Sequence, residues 1–196
     1  MTRNFLDIAF TPSVIAAQEH AYGRAAAPGQ PGDRDLLGPE EIAFLGLRDS
    51  FYMATVSETG WPYVQHRGGP PGFLKVLGPS EIAFADLRGN RQLLSTGNLT
   101  ANDRVALILV DYPRRMRLKI LGHARAFDRG ADPMLEARLG ANEAGGKVER
   151  MIRIDVIAFD WNCPQHITPR WTKTEIDAVV APLRGRIAEL EGLVKD

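Results

Sequence analysis

The sequence predicts a mainly β domain with flanking helices, built as an antiparallel barrel or sandwich. Three observations carry this. From Ser50 to Trp161 the chain is a succession of seven short strand-like runs separated by turn residues, with few helical stretches between them. No GxGxxG or GxxxxGK(S/T) run follows any of these strands, so a nucleotide-binding parallel sheet is not indicated. At 196 residues the chain fits one domain, 1–196, long enough to bury a core without disulfides or metals.

The elements follow in order. Thr11-Pro12 reads as a helix start, threonine as cap and proline in the first turn, leading to about Gly23 or Ala27, where "APGQPGDRD" ends it. Pro39-Glu40-Glu41 repeats the signal for a short helix to about Leu47, so residues 1–48 form a helical extension. The barrel, 50–161, starts as a hairpin, "SFYMATVS" and "WPYVQHR" joined by "ETG". It continues with "GFLKVL", a "GPS" turn, "EIAFAD", a helix over Gln92 to Leu99, then "RVALILV", "RMRLKILGHARAF" and "RMIRIDVIAFDW". In 172–196, Thr172 and Glu175 have capping-box spacing, and Ile176, Val180, Leu183, Ile187, Leu190 and Val194 recur every four and three residues. That stripe fits packing on the barrel or docking on another subunit, and Pro182 predicts a kink or a break.

Twenty-four lysines and arginines balance 24 aspartates and glutamates, so no global field favours nucleic acid or an anionic membrane, and any anion site is local. One cysteine, Cys163, excludes an internal disulfide framework and suits a reducing compartment. No apolar run approaches the roughly 20 residues of a membrane span, and "MTRNFLDIAF" lacks the apolar core of a signal peptide. The expectation is a cytoplasmic protein.

Three segments carry candidate ligand chemistry. In "RMRLKILGHARAF", strand alternation puts Arg115, Arg117, Lys119, His123 and Arg125 on one face, a pattern that equally describes a solvated barrel surface. In "FADLRGNRQLLSTGNL", a glycine turn ahead of a helix starting near Asn90 lets backbone N–H groups and Arg91 converge on an anion, while Asp86 caps the turn or accepts from a heterocycle N–H. In "QHRGGPPGFLKVL", a stiff glycine-proline bend offers close backbone approach, with Phe73 and Lys75 on one face of the following strand. The segment "DWNCPQHITPRW" is expected to close over a site or an interface through Trp161, Pro164 and Trp171. Its Cys163 and His166 lack the further ligands that a zinc site needs.

The run from about Ser50 to Phe127 resembles the pyridoxamine 5'-phosphate oxidase-like family of FMN-binding split barrels. "GFLKVL", "GPS", "EIAFAD", "RGNRQLL", "TANDRVALILV" and "RMRLKILGHARAF" follow in the family's order, and Lys75 and Phe84 stand nine residues apart as the corresponding positions do. The resemblance implies a Greek-key-like antiparallel split barrel and a homodimer with FMN at the subunit interface. It places Lys75 on the cofactor-contacting lysine, Ala85-Asp86 beside the flavin, and Asn90 and Arg91 on the pair that holds the phosphate. Arg117 falls on a residue that reaches FMN across the dimer. Beside these, Phe73 is expected along the ring system, with Lys119 contributing from the basic strand and Gln65 or Arg67 from the preceding hairpin, and a basic lining suits the charge a flavin gains on reduction.

Two departures matter. Pro70 stands where the family has a phosphate-binding arginine, which leaves Arg67, Arg88 or Arg115 to supply that charge. The Arg-x-His substrate motif and Arg-Leu-Ala-Pro ending of the true oxidases are absent, so the resemblance implies an FMN-dependent flavoprotein branch with a small-molecule substrate or electron donor. A second reading is a non-catalytic flavin- or haem-binding barrel, with His66, His123 or His166 as axial ligands.

Overall fold

The computed structural model describes residues 3–27, 29–30, 32–140, 146–162 and 165–193. Proline in the first turn opens three of its helices, because the ring fixes φ where the missing N–H has no intrahelical role. These are α2 (Pro12–Tyr22), α3 (Pro39–Gly46) and α5 (Pro133–Arg138). Gly23 ends α2 at φ 65, its N–H donating to Glu19 O, a left-handed position that costs glycine nothing. Two short helices lack any expectation from the sequence: α1 (Arg3–Ala9) in the N-terminal stretch, and α5.

The sheet is seven strands, β1 (Ser50–Val56), β2 (Pro62–Gly68), β3 (Lys75–Gly78), β4 (Glu81–Leu87), β5 (Arg104–Asp111), β6 (Met116–Asp128) and β7 (Val148–Asn162). Their order is β2-β1-β5-β6-β7-β4-β3, and every pair is antiparallel. The chain leaves the β1–β2 hairpin, adds β3–β4 at the far edge, and fills the middle with the β5-β6-β7 meander, a Greek-key-like path. The sheet curls into a barrel: Phe51 on β1 meets Phe84 on β4 edge to face at 5.2 Å, although β5, β6 and β7 lie between those strands in the sheet. Phe73 stacks on Phe51 at 5.6 Å, and Leu107, Leu118, Ile120 and Ile154 share this core.

The tightest point is where β6 crosses a register shift in β7, opposite Gly122. A Cβ there would lie 2.5 Å from Asp155 O, so only glycine fits. At the shift, Ile157 O accepts from Asp35 N–H (2.9 Å) and from Asn4 Nδ2 (2.9 Å), which fastens the N-terminal extension to the barrel. Trp161 at the end of β7 donates to Glu41 Oε1 (2.6 Å) and packs edge-on against Phe44 of α3. Trp161 therefore anchors α3 rather than closing a site, and Trp171 is exposed. Cys163, Pro164 and Val194 lie outside the described residues.

Other expectations need correction. Strand β3 starts at Lys75, so Phe73 belongs to the preceding loop; Arg115 sits in the β5–β6 turn at φ 54. The helix after β4, α4, spans Leu94–Ala101 and not Gln92 to Leu99, because Arg91 and Leu93 adopt φ 62 and 57 and keep the turn open. The last helix, α6 (Lys173–Leu193), has its capping box, Thr172 N–H to Glu175 Oε2 (2.7 Å) and Glu175 N–H to Thr172 Oγ1 (3.2 Å). Pro182 does not break it, since one missing donor leaves the neighbouring bonds intact. The stripe does not pack on the barrel: α6 buries none of its described residues, and Ile176, Leu183, Ile187 and Leu190 are 47 to 60% exposed.

Candidate functional site: two clefts meeting at Leu87

The interior face of β4 ends in Asp86, a buried carboxylate at the mouth of the barrel. The register puts Arg150 of β7 directly opposite it, and the curl of the sheet brings Arg67 of β2 to its other side. Arg67 Nη1 donates to Asp86 Oδ1 at 2.6 Å and Arg150 Nε to Asp86 Oδ2 at 3.3 Å. Arg67 also lies over the Phe84 ring at 5.8 Å. Burial pushes the Arg67 guanidinium below the usual arginine value and Asp86 pulls it back; the group remains a cation, with Nε buried and lacking a partner among the described residues. Arg150 reaches Glu149 as well (3.3 Å), and Arg88 lies 3.7 Å from the other oxygen of Glu149.

Above this network runs the turn from Arg88 to Leu93. Arg88 N–H donates to Lys147 O, and Asn90 Oδ1 accepts from Gln92 N–H (3.1 Å), an Asx turn that consumes the asparagine side chain locally. Helix α4 is then seated on the hairpin by two side-chain bonds, Ser95 Oγ to Gln65 Oε1 (3.0 Å) and Asn98 Nδ2 to Thr55 Oγ1 (2.9 Å). The result is a cleft of about 380 Å³ whose walls include Gln65, Arg67, Asp86, Asn90, Arg91 and Arg150. Arg91 is exposed, and its guanidinium has no partner among the described residues. Each Asp86 oxygen accepts from one arginine, and no bond from Asp86 to the turn occurs among the described residues. The helix dipole expected at Asn90 begins four residues later, at Leu94.

A second cleft, about 780 Å³, adjoins the first at Leu87. Its floor is the glycine-proline loop between β2 and β3. Gly69 and Gly72 donate to Asp49 O (2.9 Å) and Arg48 O (3.0 Å), which pins the loop to the end of α3 and the start of β1. Gly72 has φ 78, and a Cβ on Gly69 would sit 2.7 Å from Phe73 Cγ, so backbone is laid open here instead of side chain. Phe73, Lys75 and Ala85 line this cleft with Ala137 to Gly140 at the end of α5. Helix α5 is fixed by Leu135 and Leu139, buried against Ala83, Val148 and Met151, and Arg138 Nη2 donates to Leu77 O at 2.8 Å.

One chain thus gathers eight of the ten residues singled out in the sequence, five around the first cleft and three around the second. The other two lie elsewhere. Leu118 and Ile120 point into the core, so Arg117 and Lys119 take the outer face of β6. There Lys119 Nζ pairs with Asp160 Oδ2 (3.0 Å) and covers the Phe5 ring, at the edge of an apolar groove of about 500 Å³ that includes Tyr52, Val64 and Ile108. The three histidines do not converge: His66 packs edge-on to Tyr52, His123 Nδ1 lies 2.8 Å from Asp103 Oδ1, and His166 is exposed. No group of three His, Cys, Asp or Glu that could hold a metal occurs among the described residues. Nor, among them, is any helix long and apolar enough to cross a membrane.

Arg150 and Arg138 escaped the sequence. Arg150 meets Asp86 only through strand register, which no local motif encodes. Arg138 carried a usable signal: Asp132-Pro133 is a capped, proline-started helix of the same kind as Thr11-Pro12, and Asp132 Oδ1 does accept from Leu135 N–H.

Fold and clefts together define an antiparallel split barrel with cations and open backbone at its mouth. The chain belongs to the pyridoxamine 5'-phosphate oxidase family, whose model matches residues 37–161. Among solved structures it is similar to HupZ of Group A Streptococcus, at 16% identity and a TM-score of 0.52, with 69% of this chain and 100% of that one covered. A singly substituted form of HupZ gives the same identity and TM-score over 65% of this chain and 100% of that one. A Clostridium acetobutylicum protein related to general stress protein 26, of the pyridoxinephosphate oxidase family, is 14% identical over 70% of this chain and 94% of its own, with a TM-score of 0.45. No curated protein matches the chain.

Proposed function

We propose that the protein is a homodimeric FMN-dependent oxidoreductase acting on a small-molecule substrate. The observation that carries this reading is the pair of clefts meeting at Leu87, one rimmed by guanidiniums and the other floored by open backbone beside Phe73, both inside the matched family region. An FMN molecule needs the same two surfaces, cations for a phosphate dianion and close apolar backbone for a planar ring. Arg91, with Asn90 and Lys75, would hold the phosphate end, while Phe73 and Ala85 would lie along the ring. When bound, FMN supplies hydride or single-electron transfer. The chain's part is to orient it: Asp86 locks Arg67 and Arg150 so that the cleft wall keeps its shape, and the Ser95–Gln65 bond fixes α4 over it.

The apolar groove around Tyr52, Val64 and Ile108 supports the dimer, because Val64 is 60% and Tyr52 43% exposed on a face of packed strands. Val64→Asp is expected to convert the dimer to monomer in sedimentation.

The deciding experiment is the absorption spectrum of purified protein with and without added FMN. Flavin bands that titrate to saturation support the reading; a Soret band would assign the barrel to haem, and a colourless protein that rejects FMN would sink the proposal. Arg91→Ala is expected to weaken FMN binding by about 1.5–3 kcal/mol, the scale of charge-assisted hydrogen bonds. Anaerobic bleaching by NADPH or NADH then tests the oxidoreductase step.

A further inference from the structure

We infer that α6 pairs with α6 of a second copy of this chain as a parallel two-stranded coiled coil; this rests on the homodimer proposed above. The helix buries none of its described residues, and four members of its apolar stripe, Ile176, Leu183, Ile187 and Leu190, are 47 to 60% exposed. Their spacing defines what can cover them. Steps of four and three residues put Val180 and Ile187 at the a positions of a heptad and Ile176, Leu183 and Leu190 at d. β-Branched residues at a, with leucine at two of the three d positions, favour two parallel strands. The poor helix formers stay off this seam: Pro182 falls at c, and Gly185 and Gly192 fall at f, all on the outer face.

Charge selects the partner and its direction. The flanking e positions are Asp177, Arg184 and Glu191, and Arg186 is the charged residue at g. In a parallel pair each g residue meets the e residue five places on in the other strand, so Arg186 faces Glu191 of the second copy, twice by symmetry. In an antiparallel pair e faces e and g faces g. Asp177 would then meet Glu191, Arg184 would meet Arg184 and Arg186 would meet Arg186, and every charged contact would be like-signed. Arg186 Nη1 now donates to Glu189 Oε2 at 2.8 Å, but both side chains are 65% exposed, so that bond is weak and exchangeable. Parallel strands also suit a two-fold dimer whose axis runs along the helices. At 21 residues α6 is short for a coiled coil that must hold two chains by itself. Its pairing is set by the effective concentration inside the barrel dimer, not by protein concentration, and adds little to the unfolding of either barrel.

The test uses the full chain with FMN added, in a Cys163→Ser background where an introduced cysteine is the single thiol. Sedimentation gives the oligomeric state, and oxidised glutathione reveals which positions meet their own copy. Leu190→Cys is expected to form an inter-chain disulfide about tenfold faster than Ala181→Cys, whose b position points outward. An antiparallel pair would set the two copies of residue 190 about 15 Å apart along the axis, beyond the reach of a disulfide. Arg186→Glu should slow the cross-link, and Arg186→Glu with Glu191→Arg should restore it, a rescue that a merely damaged helix would not show. A dimer in which Leu190→Cys links no faster than Ala181→Cys, or in which Arg186→Glu changes nothing, overturns the inference, leaves the stripe to a different occupant and leaves the homodimer standing. A protein that sediments as a monomer overturns both.

Discussion

The two clefts on either side of Leu87 use the same residue type to different ends. In the first, arginines are buried and committed to Asp86 and Glu149, so they hold strands together. In the second, Arg138 and Lys75 are exposed, and none of the described lining residues is a carboxylate. A basic residue near a ligand cleft is therefore not by that fact a ligand-binding residue. Its balance of opposite charge decides which it is. Arg91 is the exception that links the two, since it lines the first cleft yet carries no partner among the described residues.

The largest effect that would break this comparison is at Asp86. With side chains 11%, 6% and 14% exposed for Arg67, Asp86 and Arg150, removing the carboxylate leaves two guanidiniums facing each other in a poorly solvated space. Asp86→Ala is expected to lower unfolding free energy by about 3–5 kcal/mol in urea titrations. Arg138→Ala should change it by no more than about 0.5 kcal/mol. If the two variants lose similar stability, the first cleft is not the structural one.

The contrast also separates what the sequence revealed from what it hid. The antiparallel barrel was legible because β1, β5, β6 and β7 are near-continuous or alternating apolar runs with turn residues between them: alternation marks the one kind, and short length with flanking turns marks the other. The Arg88–Leu93 turn and the glycine-proline bend were legible as irregular loops from their glycines and prolines, and both line clefts. What the sequence hid was charge balance. Asp86 and Arg150 are 64 residues apart and Arg67 and Asp86 are 19 apart, joined only by register and by the curl of the sheet. Hence the Arg67–Asp86 ion pair is invisible to a reading of local motifs, although both residues line the first cleft. Alternation assigns Arg117 and Lys119 to one face, and the curl of the sheet, which it does not encode, makes that face the outer one, away from both clefts of the same chain.

A second buried network tests whether paired arginines act by charge or by packing. Asp111, 3% exposed, accepts from Arg48 Nη2 (2.7 Å), Arg114 Nη1 (3.1 Å) and Arg114 N–H (3.0 Å). Burial pushes its carboxyl up; the Arg114 backbone bond, the charge of Arg48 and the side-chain bonds from Arg114 and Arg48 more than offset this, so it titrates below the ordinary aspartate value. A folded pKa below the unfolded one stabilises the protein above the unfolded value, about 3.9, and the contribution is lost as pH falls through the folded value. Asp111→Asn should therefore be less stable than wild type by about 2 kcal/mol at neutral pH, and the gap should close in urea titrations run at progressively lower pH below about 4. A gap that persists in acid would mean packing, not charge.

The floor of the second cleft gives a smaller effect. Gly69→Ala places a methyl 2.7 Å from Phe73 Cγ and 2.8 Å from its Cβ, a part of the side chain that cannot swing away, and Phe73 is stacked on Phe51. The expected cost is about 1–3 kcal/mol in urea, and riboflavin affinity should fall with it, because the displaced ring belongs to the cleft.

The smallest effect belongs to α6, which has the most regular apolar stripe in the chain and the least packing. Leu183 is 60% exposed on a helix that buries none of its described residues. Leu183→Asp is expected to shift the unfolding free energy of the barrel by less than about 0.5 kcal/mol. Hydrophobic stabilisation follows area removed from water, not the regularity of the pattern that could remove it, so a stripe with nothing against it contributes little to the fold of its own chain. The measurement is the urea midpoint of the substituted protein at two concentrations. A loss above about 1 kcal/mol that grows with protein concentration would show that the stripe by itself drives association, since mass action stabilises an associated state and leaves a monomer unaffected.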